Sequence, residues 1–461
     1  MYFNGTTPPG QCCSGLIVLE LLLFILYLQR FFKVFMTVST MQSSPRYRNY
    51  VLFILFLTYI LNYVDRQLMT ILLEPIKAEF GASDTAMGFL TGFAFALFYA
   101  TLGIPVARLA DRWSRSNVIA ISITLWSGMT ALCAAASTFT QLALLRIGVG
   151  VGEAGGTPPS HSLIASYFPP EKRSTALSLH ATGTHFGILI GMLGGALIAD
   201  AFGWRMAFVV FGLPGLLVGI LIALTIKEPR QLSAPPASRF KDDMNALIRL
   251  PAFALIAIAG ALTGLSGYGL GAWSPSLLIR IHELSLVEAG LLLGGVGTIA
   301  GIIGAIAGGL LCDRLVQRNH RWQLWLPALG ALASAPLMLT FVLWPENQFW
   351  HIMGVKVPVA IIFLFFGGIL SSLWIGPTYA AIQTAAPSHL RTQASALFLF
   401  AFNLIGLGLG PLVVGFASDM LQASYGIYGL RYALALSMFG VLAGSVLFWL
   451  AAKQYRPQQE V

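Results

Sequence analysis

The sequence predicts an all-α membrane protein of twelve spanning helices, arranged as two six-helix halves around a central cavity. Three observations carry this expectation. Of 461 residues, 57% are hydrophobic and only 10% are charged, against roughly 25% charged in an ordinary soluble domain. About twelve apolar runs of 21 to 28 residues alternate with short polar breaks, each long enough to cross a hydrocarbon core of roughly 30 Å as a helix. The runs fall six and six about one long polar segment, and the same Asp-Arg pair recurs after the second run of each set. A transmembrane β-barrel lacks such runs. The 48 glycines and 23 prolines would weaken soluble helices, but a membrane bundle tolerates them and glycine permits close backbone approach.

Residues 1–45 form an N-terminal extension whose apolar stretch, GLIVLELLLFILYL, contains Glu20 and lacks both a basic leader and a small-residue cleavage site. It fits neither a span nor a signal peptide. It is read as a dispensable tail or an over-early start ahead of Met36 and Met41, with an interfacial helix as the alternative. The N-terminal half, 46–226, holds spans at 50–73, 84–109, 117–137, 139–164, 174–199 and 205–226. Segment 227–251, KEPRQLSAPPASRFKDDMNALIRLP, is polar and proline-containing and reads as a cytoplasmic hinge. The C-terminal half, 252–452, holds spans at 252–279, 287–311, 323–344, 357–384, 393–418 and 430–452, and 453–461 is a cytoplasmic tail. Pro158 with Pro159, and Pro275, are expected to break or bend spans four and seven.

With both ends of the core placed inside, the cytoplasmic loops from Arg46 onward collect 18 Lys/Arg, while the opposite side keeps five: Lys77, Arg205, Arg280, Lys356 and Arg431. That bias orients the chain. It also accounts for the net charge of +9 without nucleic acid, because the bases are dispersed over short loops rather than gathered in one patch. Cys12, Cys13, Cys133 and Cys312 have no metal-ligand spacing, so neither a disulfide nor a metal is expected, and no cofactor. No GxxxxGK[ST] loop occurs, which argues against ATP-driven work. Nor does a Ser-His-Asp or metal-ligand cluster suggest an enzyme.

The loop after span two reads ARLADRWSRSN, residues 107–117, and that after span eight reads GLLCDRLVQRNHR, residues 309–321. An equivalent motif at equivalent places marks parallel repeats related by an axis along the membrane normal. Here the chain resembles the major facilitator superfamily, whose loop motif clamps the two halves in the outward-facing state. The resemblance implies a gating clamp from Asp111, Arg112 and Arg115 in the first copy and Asp313 and Arg314 in the second. The first copy departs from the motif, with Ala107 in the glycine place and Ser114 before Arg115. Glycines 183, 187, 191 and 195 lie on one face of span five, which predicts close helix packing, and NLIGLGLGP at 403–411 supplies the counterpart in span eleven.

Two acids and two bases fall in the interior of spans, away from their ends: Asp65 and Arg66 in span one, Arg146 and Glu153 in span four. Arg146 and Glu153 are seven residues apart and share a helix face. An ionised group at a helix centre costs about 2.5–3.5 kcal/mol, so these four are expected to line the cavity as two pairs, Asp65 with Arg146 and Arg66 with Glu153. Purely structural neutralisation is the competing reading. Glu153, the deepest acid, is a candidate proton site, since an arginine favours its charge and desolvation opposes it. Protonating it would release Arg66, whose planar fork suits a phosphate.

LNYVDRQ in span one, GEAGG in span four after Arg146, and AWSPSLL at 272–278 make the chain similar to the Spinster branch of the superfamily over residues 50–452. That resemblance implies proton coupling through Asp65, Arg66, Arg146 and Glu153, and a lysophospholipid or sphingosine phosphate as cargo. The expected function is a proton-coupled transporter of lysophospholipid-like single-chain amphiphiles, in a bacterial inner membrane, as a monomer among membrane lipids. The alternatives are a proton-coupled exporter of drugs or small organic anions and a non-transporting lipid receptor. Phe89, Phe93, Phe95, Trp273 and Trp374 are candidates for an apolar slot. His185, and less so His161 and His180, are candidates for a relay or a substrate contact.

Overall fold

In the computed structural model, residues 44–228, 240–352, 354–387 and 390–455 are described. Most of the 1–45 extension and of the 453–461 tail lie outside them. Ten helical stretches among the described residues are long and apolar enough to cross a membrane. One of these, Gln393–Gln454, contains both span eleven and span twelve. Span four escapes the criterion because it is broken into Phe139–Glu153 and Thr157–Tyr167. The total is therefore the expected twelve.

Local chemistry sets many of the helix starts. Ser44, Ser83, Ser114 and Thr138 cap spans one to four by accepting the N–H of Tyr47, Ala86, Asn117 and Gln141. Each satisfies one of the donors that a helix N-terminus leaves orphaned. Ser285 and Glu288 form a reciprocal capping box at span eight, Leu286–Val316. Span seven, Pro251–Arg280, runs through Pro275 as one unbroken helix, so of the break or bend expected there the break does not occur. In span four the break falls at Ala154–Gly156, just ahead of Pro158 and Pro159, which occupy the first turn of the next helix. Span ten is likewise divided, into Ile361–Ser372 and Ile375–Ala385.

With an even number of spans, both ends of the core lie on one side, called here the end side; the other is the far side. A far-side hairpin, β1 (Phe349–Ile352) and β2 (Val355–Pro358), pairs antiparallel with His351 opposite Lys356. Its sequence gave no hint of strands because it is too short to show a period. Part of the hinge segment is helical, Phe240–Ile248.

Glycine dictates which helices touch. On span five, an added Cβ at Gly187 would stand 2.5 Å from Tyr63 Cβ, and one at Gly191 2.7 Å from Gln67 Cβ, so the glycine face lies directly on span one. Gly406 meets Gly264 and Tyr268 of span seven in the same way. Both glycine-rich helices carry π-helical turns, at Ile190–Gly194 and Phe402–Leu409.

The two halves meet along two seams. In one, Gly88 and Gly92 of span two lie against the backbone of Leu407, Gly408 and Pro411 of span eleven. In the other, a Cβ at Gly290 of span eight would be 2.6 Å from Met192 O of span five. Farther toward the end side, Gly103 and Gly309 meet nothing within 4 Å of such a Cβ among the described residues. Among the described residues, backbone contact between the halves falls toward the far side.

Candidate functional site

Span one enters the bundle as an uninterrupted helix, Pro45–Ile71, and the small face of span five lets it sit deep between neighbours. That placement buries Asp65 beside the first helix of span four. Arg146 Nη1 donates to Asp65 Oδ2 at 2.8 Å, and Thr130 donates to Asp65 Oδ1. One helical step on, Arg66 Nε donates to Glu153 Oε2 at 2.8 Å, and Arg66 Nη2 stands 2.8 Å from the same oxygen. Both expected pairs are present, and the glycines around Glu153 explain why span four can approach so closely. A Cβ at Gly150 would be 2.5 Å from Phe95 O, and one at Gly152 2.6 Å from Trp126 N. Gly152→Ala is expected to cost about 1–3 kcal/mol through overpacking. Thermal unfolding in detergent measures it, and a variant as stable as the parent would contradict this packing.

The two pairs are not equivalent. Asp65 and Arg146 are sealed, at 4% and 1% side-chain exposure, whereas Arg66 is 13% exposed beside a fully buried Glu153. Arg66 and Arg146 line the central cavity, and the two acids stand behind them. The guanidinium of Arg66 lies 4.6 Å from the Tyr99 ring centroid, 5.0 Å from Phe95 and 5.3 Å from Tyr63, an aromatic setting that holds a cation without neutralising it. Both hydrogen-bond contacts from Arg66 fall on Oε2, so Glu153 Oε1 has no partner among the described residues although it is buried.

The cavity measures about 520 Å³ and draws its walls from both halves, within the ~300–1,000 Å³ common for small-molecule sites. Beyond the two arginines its lining is mostly apolar, with Met192, Leu293, Met338, Phe402 and Val441 among the contributors. Of the aromatic candidates, Phe95 and Trp374 line it. Phe89 and Phe93 do not; they pair with each other on span two. Trp273 is fully buried at the seam instead, donating its Nε1–H to Pro411 O at 2.9 Å.

The remaining candidates are placed as follows. His185 lies at the span five–span eight seam, its Nε2 3.8 Å from where a Gly301 Cβ would be, and does not line the cavity. His180 stacks on Tyr59, with His161 edge-on to it. Arg115 is turned into its own half, bonded to Glu228 Oε1 at 2.6 Å and to Ser162 and Ser166. Its partners here are thus span four and Glu228 at the start of the 227–251 segment, while the clamp expected of it belongs to the outward-facing state. Asp313 and Arg314 are exposed, with no ion pair among the described residues. The side chains of Asp111 and Arg112 lie outside the described residues. Cys133 and Cys312 are free and buried.

Two six-helix halves around one polar-tipped apolar cavity, closed at one end, define a transporter fold. Residues 55–411 match the family profile described as the Major Facilitator Superfamily, and the chain belongs to that family. It is an integral membrane transporter of the Spinster branch. It is 37% identical over 399 residues to an MFS-type efflux pump of Mycolicibacterium smegmatis, covering 86% of this chain and 90% of the relative. Protein spinster homolog 1 of Xenopus laevis is 28% identical, with 86% of this chain and 80% of the relative covered. Among solved structures, a bacterial homologue of the human lysosomal transporter Spinster, inward-facing and unoccupied, superposes with a TM-score of 0.77 at 28% identity, over 90% of this chain and 98% of that one.

Proposed function

We propose that the protein moves lysophospholipid-like single-chain phosphate amphiphiles across a membrane by alternating access coupled to protons. The observation that carries this reading is the Arg66–Glu153 pair. A buried carboxylate with one oxygen occupied by arginine and the other unpartnered is a site where a proton can be added at Oε1 without first displacing a bond. Adding it removes the charge that holds Arg66, and Arg66 already borders the cavity. A phosphate can then take the guanidinium fork, while the apolar walls receive a hydrocarbon chain. Asp65 serves as the second acid of the coupling group, with Arg146, buried in the cavity wall, as its counter-ion. The Danio rerio relative named a sphingosine-1-phosphate transporter, 27% identical, supports a single-chain phosphate cargo.

The core ends lie in the cytoplasm of a bacterial cell on this reading, the cavity opens inward, the 227–251 segment is the hinge, and the protein works as a monomer. The similarity to an efflux pump favours a second reading, proton-coupled export of drugs or small organic anions. Proteoliposomes with and without a pH gradient test the first: Glu153→Gln is expected to abolish the dependence of lysophospholipid flux on the gradient, and proton-driven flux unchanged in that variant sinks the scheme. Competition of a lysophospholipid against a small organic anion for the same flux separates the two cargos.

A further inference from the structure

The far-side end of span two is built into a knot of charges that neither the proton pathway nor the cavity uses. Asp84, the first residue of that helix, is 1% exposed. Arg280, the last residue of span seven, forks onto its carboxylate, Nη1 to Oδ2 and Nη2 to Oδ1, both at 2.8 Å. Arg280 Nε reaches back to Glu74 Oε1 at 2.9 Å. Lys77 Nζ gives Asp84 Oδ1 a further bond at 2.5 Å, and Ser418 Oγ gives Oδ2 one at 2.7 Å.

The backbone of the same turn is tied separately. Ser83 takes the N–H of Ala86, but the N–H groups of Asp84 and Thr85 have no acceptor among the described residues of their own half. Asp419 of span eleven accepts both, at 3.0 and 2.7 Å, and the Thr85 hydroxyl at 2.6 Å. An aspartate on one half thus caps a helix belonging to the other, where a negative charge also suits the positive end of the helix dipole. Gly415, whose Cβ would overlap Asp84 O, lets the two backbones come that near.

Which half each residue belongs to decides the meaning. Glu74, Lys77, Asp84 and Thr85 precede the hinge segment; Arg280, Ser418 and Asp419 follow it. Among the described residues, the other far-side cations tie within a half. Arg205 bonds Glu79 and Ala136 O, Lys356 bonds His282 O, and Arg431 bonds Val342 O and Trp344 O. Arg280 crosses.

We infer that Asp84, Arg280 and Asp419 form a latch that holds the far side closed, and that they set the balance between the two access states without touching the cargo. Opening the far side breaks every bond from Arg280, Ser418 and Asp419 to the span-two end at once. Lys77 remains with Asp84, and water reaches the freed N–H groups, so the opened state is tolerated rather than forbidden. The latch is therefore a positioning device of the transport cycle, and it holds whether the cargo is a lipid, a drug or another anion.

The test uses the full chain in lipid nanodiscs, with Cys12, Cys13, Cys133 and Cys312 replaced by serine and spin labels on Ala201→Cys and Ala423→Cys. Both positions are exposed at far-side ends of opposite halves. Asp84→Asn and Asp419→Asn are each expected to raise the long-distance population about tenfold relative to the short one, the ratio that about 1.4 kcal/mol of charge-assisted hydrogen bonding sustains. Glu79→Gln, which breaks a tie inside one half, is expected to leave the distribution unchanged. Distances in both aspartate variants that coincide with the parent overturn the latch, as does an equal shift in Glu79→Gln. Asp419 is only half buried, so its variant carries the test alone where Asp84→Asn does not fold.

Discussion

Replacing Arg146 with methionine is expected to destabilise the protein by about 3–5 kcal/mol, because it leaves a buried carboxylate without its counter-ion. The residue is 1% exposed, and only Thr130 would remain on Asp65. The second half of the experiment is the informative one. Paired removal of buried ions is often neutral, because the desolvation penalty disappears together with the attraction. The double variant Asp65→Leu with Arg146→Met is therefore expected to regain most of the lost stability, measured as a denaturation midpoint in detergent. If the double variant is as unstable as the single, the two residues are not a neutralising pair. Transport then separates structure from function: a refolded but inactive double variant assigns the pair to coupling, whereas an active one makes it a packing device.

A second large effect is expected from Gly88→Val. The added Cβ would overlap the carbonyl oxygen of Pro411 and stand 2.9 Å from Leu412 Cα. Those are backbone atoms of the other half, and no side-chain rotation relieves the clash. Overpacking of this kind costs about 1–3 kcal/mol, while two conformers of a switching protein differ by only a few kcal/mol. The clash exists only when the far side is closed, so the chain should fold, remain open there, and lose at least about tenfold in transport rate. The spin-label pair described for the latch measures the opening directly. A Gly88→Val protein that closes and transports like its parent would show that the seam yields locally. Gly290→Ala, 2.6 Å from Met192 O, makes the same demand on the other seam.

Much of this architecture was legible because lipid imposes strict conditions. A span must be long and apolar, and a charge inside it must be paired or face a cavity. Asp65, Arg66, Arg146 and Glu153 therefore announced themselves, and the seven-residue spacing in span four matched the right partners. The glycine face of span five was equally readable, though not that its partner would be span one. Arg115 bonds Ser162 and Ser166 of its own half here, and the clamp expected of it belongs to the outward-facing state, so a loop motif alone does not say which partners its arginine holds in the other state. His185 and Trp273 lie at seams rather than in the cavity, since helical periodicity alone does not tell a seam from a lumen.

The latch was missed for a specific reason. The five far-side bases report orientation, to which acids contribute little, so Glu74, Glu79, Asp84, Asp200, Glu283, Glu288, Glu346 and Asp419 carry no weight in that signal. On a surface meant to be poor in charge, eight acids beside five bases were a signal in plain view.

The seams have a kinetic consequence. Where Gly88, Gly92 and Gly290 meet the opposing half, main chain lies on main chain, and few long side chains have to be ordered when the surfaces join or freed when they part. Such a contact behaves as a bearing rather than a weld. It imposes little friction and little memory of which state came before. The charges at the rim then weight the two positions, and the bare backbone beneath them governs how quickly one gives way to the other. Asp84 and Asp419 thus weight occupancy, while the glycines set how closely the two backbones approach.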